Sequence, residues 1–417
     1  MRKLLTMSVL VYFLYGLFIY LYLFHFTSSG VPPQYAGSLA DPETFMDGRE
    51  LLLSEEYSKI KNFLFFVTTP FEWFLFLIIL VTGLSRKMSG WAKGISKFSI
   101  VQTAVYLFWL TLFVTILSFP IEWGGYKIST AYQITTQVFS SWMKDQLIDF
   151  WVNYLLMIII VTVLYFFIRK SAKRWWLYTW LLSIPFSFFL MFVQPVLIDP
   201  LYNDFYPLKD KELEAKILAL VDKADIPAKH VYEVNMSEKT NALNAYVTGV
   251  GSNSRIVLWD TTLERLNDDE ILFIMAHEMG HYVMKHIYVG IAGYLILSLG
   301  ALFLIDKLMT VIIEKWGTRL NIKGKQEISS LPLFLMLLGI LVFAASPLSN
   351  AVSRYQEKSA DMYALELTKD NEAGIYTFQK LSKASLSQVN PPQLVKIFRY
   401  GHPTIFERIQ YLEKYEE

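Results

Sequence analysis

Long apolar runs alternate along this chain with two hydrophilic regions, and that alternation predicts the architecture. Seven stretches are apolar over about the length that crosses a bilayer: Leu4–Phe26, Phe63–Leu84, Phe98–Phe119, Phe150–Ile168, Trp175–Gln194, Ile287–Ile305 and Leu331–Ser346. Tyr20, Tyr22, Trp91, Trp123, Trp151, Trp175 and Trp176 flank them, as expected of rings at a membrane interface. The first run follows Arg2 and Lys3 and precedes Thr27-Ser28-Ser29-Gly30, the layout of a signal peptide. Its apolar core is too long for one, so a retained span is expected. Pro195 to His286, between the fifth and sixth runs, is hydrophilic. There Leu213, Ile217, Leu220 and Val221 recur at helical spacing in a charged segment. Strands are expected at Val231–Met236, Ala245–Val250 and Ile256–Trp259, with Gly249 and Gly251 in the turn between the last two. The second hydrophilic region, Asn350 to Glu417, reads as several helices with a break at Asn390-Pro391-Pro392. The expected fold is a mainly α, polytopic membrane protein divided into segments 1–194, 195–286, 287–346 and 347–417.

Composition supports the membrane reading over a soluble core of buried helices, because 54% hydrophobic and 16% aromatic content exceeds what soluble domains carry. With 38 basic against 37 acidic residues, no global attraction to nucleic acid is expected. Cysteine is absent, which excludes disulfides, thiolate metal ligands and a cysteine nucleophile. Glu72 follows Pro70 inside the second apolar run, and Gln102 lies in the third. A carboxylate at that depth should face protein or a water-filled interior, or else be neutral and bonded to a neighbouring helix.

His277-Glu278-Met279-Gly280-His281 spells H-E-x-x-H. On a helix, residues four apart project from one face, so the two imidazoles can grip one zinc ion while Glu278 acts as general base on a water. Asn267-Asp268-Asp269-Glu270 supplies a polar helix start, Ile271 to Ala276 is apolar, and the helix is expected to run on towards the sixth span. The metal would then sit at the membrane boundary. A catalytic zinc needs a third protein ligand. The metzincin position holds Ile287, and His286 projects about 180° away on a continuous helix, which makes it an interfacial histidine. A distal carboxylate remains. Glu357 and Asp361 share a helical face after the seventh run, but periodicity alone does not choose them over a solvated charged face.

H-E-x-x-H together with Ser353-Arg354-Tyr355-Gln356-Glu357-Lys358-Ser359-Ala360-Asp361 resembles the type I CAAX prenyl endopeptidases, which are integral-membrane zinc metalloproteases. Pro200 to Leu208, Asn244-Ala245-Tyr246, and Gly401-His402-Pro403 with Glu407-Arg408 are also similar to segments of that family. The resemblance implies seven spans around a chamber and a zincin-like α+β catalytic domain at one membrane face. It implies one Zn2+ held by His277, His281 and Glu357, with Glu278 as general base. It also implies that Asp361 orients a ligand histidine, that Arg354 holds a carboxylate, and that His402 stabilises the oxyanion. Asn244, Ala245 and Tyr246 would line the substrate strand, while His230 has no counterpart and is expected to be structural. Thr404 and Lys358-Ser359 depart from the family pattern, Lys358-Ser359 standing where Phe-Gln is more usual, which weakens inference about substrate fit.

The implied function is hydrolysis of membrane-associated or prenylated peptides and proteins by a monomer in the cell membrane, with the bilayer and a peptide as partners. A transporter or scaffold with a structural zinc is the alternative. Sidedness divides the indications. Arg2 and Lys3, then Arg86, Lys87, Lys93 and Lys97, then Arg169, Lys170, Lys173 and Arg174, then the loop from Lys307 to Lys325 all fall on one side. The other side's short loops are poorer, with Lys127 and Lys144 in one of them. The positive-inside rule places the richer side in the cytoplasm and the catalytic domain outside it, whereas eukaryotic relatives place theirs in the cytosol.

Overall fold

The computed structural model describes residues 2–27, 30–228, 230–248 and 255–415. The turn expected at Gly249 and Gly251 lies outside the described residues. Helices α1 (Arg2–Leu21), α2 (Gly48–Val81), α3 (Leu84–Ile95), α4 (Ser99–Ala131), α5 (Phe139–Lys170) and α6 (Trp175–Val193) come before the first hydrophilic region. That region folds as β1 (Phe205–Pro207), α7 (Lys211–Lys223), β2 (Val231–Val234), β3 (Ala245–Thr248), β4 (Arg255–Trp259), α8 (Asp260–Arg265) and α9 (Asp268–Val283). Then follow α10 (His286–Leu320), α11 (Leu331–Thr368), α12 (Asn371–Ser385), α13 (Gln393–Arg399) and α14 (Ile405–Glu413).

All seven apolar runs are helical. Six of these helices are long and apolar enough to cross a membrane, and α6 is a shorter apolar helix broken by no loop. Only 6% to 44% of the most apolar stretch of each of the six is buried within the molecule, which excludes the reading as core helices of a soluble protein. The helices also overshoot their apolar runs. The first turns of α2 start at an Asp47–Glu50 capping box, well before Phe63, and Ser54 and Ser58 donate to the Ser387 and Leu386 carbonyls. Short α3, not anticipated from the sequence, buries Ser85, Met88, Ser89 and Ala92, with its basic residues at the surface. Glu72 is accessible rather than packed into a neighbour, and it lies close enough to Glu122 of α4 to repel it. Two carboxylates in spans, both accessible, fit a hydrated interior better than lipid contact.

The Lys/Arg-rich end of the bundle is closed by a core that includes Ile79, Tyr106, Tyr165, Trp175, Ile305 and Leu331. Within it sits a buried ion pair. Lys325 Nζ lies 2.5 Å from Asp306 Oδ1, and the Trp175 indole N–H donates to the same oxygen at 2.7 Å. This ties α6, α10 and the chain before α11 together.

At the opposite end, the two hydrophilic regions, separated in sequence by two spans, fold around α9. The sheet has strand order β1-β2-β4-β3; β2 and β4 are parallel and the outer pairs antiparallel. Helix α7 and one side of α9 share a core with the sheet, through Ile217, Val221, Ile256, Leu258, Ile271, Met275 and Met279. The other side of α9 presents Phe273 and Ala276 to α11, α12 and α14, where they meet Ala364, Phe378 and Ile409. One helix therefore has to be apolar on both flanks, which is why its sequence shows no clean amphipathic stripe.

Removing Asp306 should leave Lys325 charged and buried. Asp306→Ala is expected to cost about 3–5 kcal/mol, seen as a lowered midpoint of thermal unfolding in detergent. Asp306→Leu combined with Lys325→Met should recover most of that loss.

Candidate active site

Helix α9 begins at a capping box in which Asn267 Oδ1 accepts from the Glu270 N–H at 2.9 Å and Glu270 accepts from the Asn267 N–H at 2.8 Å. Three acidic residues in its first turn complement the helix dipole. The helix then crosses α11 at very short range. A Cβ on Gly280 would lie 3.2 Å from the Ala360 Cα and from the Tyr363 ring, so only glycine permits this approach without displacement. The approach is what brings the carboxylates of α11 to the histidines of α9.

His277 Nε2 and His281 Nε2 face each other at 3.1 Å, and Glu357 lies 3.3 Å from the first and 3.4 Å from the second. One donor atom from each of the three falls within 4.8 Å of the others. Glu357 Oε2 is buried without a hydrogen-bond partner. A buried, unsatisfied carboxylate oxygen beside two convergent imidazole nitrogens is unfavourable as it stands. A divalent cation resolves it, and two imidazoles plus a carboxylate with room beside them is the donor set of a catalytic zinc. The residues fit the group.

Burial disfavours the charged form of His277, but Asp361 and Glu357 outweigh it and raise the ring to about 9. Burial and then the neighbouring His277 push His281 down to about 4. The two rings thus differ, His277 favouring the charged form and His281 the neutral one.

Outer contacts fix both histidines. His277 Nδ1 lies 2.7 Å from Asp361 Oδ1. Asp361 is fully buried, and Arg408 grips it through two nitrogens, with Nε to Oδ2 at 2.8 Å; the Tyr411 hydroxyl donates to the same Oδ2. Arg408 itself lies over the Phe378 ring, 3.9 Å from its centroid. Arg408 and Tyr411 had no role on sequence grounds. The available signal was an arginine beside Ile409 and Leu412 on the apolar face of a short helix, where a guanidinium needs a buried anion.

His286 was also misjudged. Lys285 adopts φ +57°, so α9 does not run on into the sixth span; it ends, and α10 restarts at His286. The restart brings His286 Nδ1 to 3.0 Å from His281 Nδ1, making it the orienting partner of the second histidine. The 180° projection assumed a continuous helix and failed for that reason.

Glu278 sits on the same turn as His277 and His281, with its carboxyl receiving the Val247 backbone N–H of β3; burial pushes it above the usual carboxylate range. Among the described residues strand β3 pairs with β4 alone, and on its outer edge the Val247 N–H is held by Glu278 and the Ala245 N–H by Asn244. Ala245 turns its side chain into the core and offers backbone only. Asn244 is exposed but its amide oxygen accepts the Ala245 N–H, while Tyr246 is half-buried. His402 is 63% exposed, with Nε2 3.3 Å from Glu357, so it can reach a group bound beside the carboxylate. Arg354 pairs with no carboxylate among the described residues. Its Nη1 donates to the Lys396 and Tyr400 carbonyls, anchoring the turn that carries His402. His230 is exposed, and its described ring contact is with Tyr232, apart from the site.

An H-E-x-x-H helix, a distal glutamate and an edge strand beside a membrane bundle define a membrane metalloprotease. Family comparison agrees. Residues 207–416 match peptidase family M48, and residues 23–204 match the CAAX prenyl protease N-terminal family of five membrane helices. The chain belongs to peptidase family M48. It is 55% identical to the uncharacterized metalloprotease YhfN of Bacillus subtilis, over 100% of this chain and 98% of that protein. It is 27% identical to the human CAAX prenyl protease 1 homolog, over 93% of this chain and 89% of the other. The crystal structure of S. mikatae Ste24p has the same fold, with a TM-score of 0.79, 24% identity, and coverage of 98% and 97%.

His286→Phe should leave the fold intact but lower zinc affinity by about 10–100-fold, the usual cost of losing an orienting partner. Competition with a chromophoric chelator measures it, and Arg408→Met should act in the same direction through His277.

Proposed function

We propose that this protein is a zinc metalloendopeptidase that cleaves peptide bonds of membrane-associated peptides and proteins. The observation that carries the reading is the convergence of His277, His281 and the unsatisfied Glu357 beside Glu278. Zinc, when bound by those three residues, supplies Lewis-acid chemistry that polarises the carbonyl and acidifies a water. The chain's own groups supply the rest. The substrate lies extended along the outer edge of β3, where pairing of its backbone requires Glu278 to give up the Val247 N–H. Glu278, with its raised proton affinity, takes a proton from the attacking water and returns it to the leaving nitrogen. His402 donates to the developing oxyanion from its exposed position beside Glu357. Asp361, held by Arg408 and Tyr411, keeps the His277 ring in one orientation. Names of relatives that mention CAAX prenyl proteases support a peptide substrate; a prenyl group is not required by any residue described above.

The catalytic domain faces away from the cytoplasm in this proposal. Arg86, Lys87, Arg169, Lys170 and Lys325 cluster at the end of the bundle opposite α9, in keeping with the positive-inside rule.

Glu278→Gln should retain stoichiometric zinc by elemental analysis yet lose at least about 1,000-fold in peptide cleavage, because proton transfer is removed while the ligands remain. Full activity in that variant would remove Glu278 from the mechanism. For sidedness, the absence of cysteine permits single-site labelling. A membrane-impermeant maleimide on intact cells should label Lys223→Cys and spare Lys87→Cys; the reverse pattern places the site in the cytoplasm.

A further inference from the structure

Beside the metal-binding group, but separate from it, a cavity of about 350 Å³ opens between α11, α13 and α14. Its wall carries four cations, Arg354, Lys358, Lys396 and Lys414, against one carboxylate, Glu407. That carboxylate is already committed, to Lys396 and to the Thr404 N–H that starts α14. Lys358 has no described acid partner and lies over the Tyr411 ring, 5.6 Å from its centroid. Arg354 spends one nitrogen on the two carbonyls of the α13 turn. Gln410, also in the wall, buries its amide nitrogen with no acceptor. Among the described residues the cavity therefore has surplus donors and surplus positive charge, and no acid left to satisfy them.

We infer that this cavity binds a carboxylate of the peptide being cleaved, either its free C-terminus or an acidic side chain, and so biases cleavage towards sites near a negative charge. The inference rests on the protease reading above. Location favours a peptide. Lys358 directly follows Glu357, Pro403 in the wall directly follows His402, and Tyr411 joins the wall to Asp361. An occupant would thus lie a few residues from a scissile bond held beside Glu357. Because Gln356 also contacts the His286 carbonyl at the start of α10, an anionic lipid is the competing occupant to test.

The test uses full-length, zinc-loaded Glu278→Gln protein, so that binding is read without cleavage. Degenerate decapeptide pools are passed over it, matched except for one Glu or Gln, and each with a free or amidated C-terminus. Retention is read by mass spectrometry. Pools with the extra carboxylate should be retained about tenfold better, the effect of one charge-assisted hydrogen bond. Lys358→Gln with Lys414→Gln, both exposed positions, should abolish that preference and leave the neutral amidated pool unchanged. Lys358→Glu should invert it. Comparing the free-terminus and Glu arms identifies which carboxylate is read. Equal retention of all pools, or an equal loss for every pool in the lysine variants, overturns the inference. So does an intact peptide preference accompanied by weaker binding to phosphatidylglycerol nanodiscs, which makes the pocket a lipid site. Cleavage of the neutral pool by the Glu278 parent is scored separately, so a failed protease reading is distinguishable from a failed subsite.

Discussion

The close crossing of α9 and α11 is the constraint on which the rest of this structure depends. Gly280 lets the helices approach until the Ala360 backbone and the Tyr363 ring touch it. That approach places Glu357 and Asp361 against His277, although some eighty positions separate them in the chain. Packing alone would not hold such a set of charges out of water. The buried Asp361 carboxylate needs a counter-charge, and Arg408 from α14 supplies it through two nitrogens. The C-terminal helices therefore do more than cover the site. They hold the anion that orients the first histidine, while the restart of α10 at His286 orients the second.

This arrangement also explains why a protease centre can be built at the end of a membrane bundle. Helices α10 and α11 both pack on α9 and carry a rigid frame from the apolar spans into the site. Sites on rigid elements hold geometry better than sites on loops. At the far end, the Asp306–Lys325–Trp175 cluster ties α6, α10 and the chain before α11 together, so the bundle is fixed at both ends. The accessible Glu72 and Glu122 lie between.

Much of this was legible in the residues. Apolar runs of bilayer length gave every membrane helix, because no water satisfies a backbone within lipid and a helix is the solution. The H-E-x-x-H spacing located α9 and two donor atoms. Glu357 and Asp361 share a face by spacing, but spacing does not distinguish a ligand from a solvated acid; only the family resemblance singles them out as candidates. What escaped was whatever depended on a change of chain direction or on a distant partner. Lys285 breaks the helix at a positive φ that lysine does not advertise, and this hid the role of His286. Arg354 reads as a partner for a carboxylate one turn away, yet it reaches the carbonyls of α13. Helix α3 and strand β1 are short elements whose formation is decided by their neighbours.

The central claim is that one zinc ion joins α9 to α11 through two imidazoles and a carboxylate. X-ray absorption at the zinc edge, on protein purified without added metal, tests it most directly. The account predicts two imidazole shells with nitrogen and oxygen donors at about 2.0–2.1 Å in a four- to five-coordinate site. A zinc-free protein, or a spectrum of six oxygen neighbours without imidazole scattering, would contradict it.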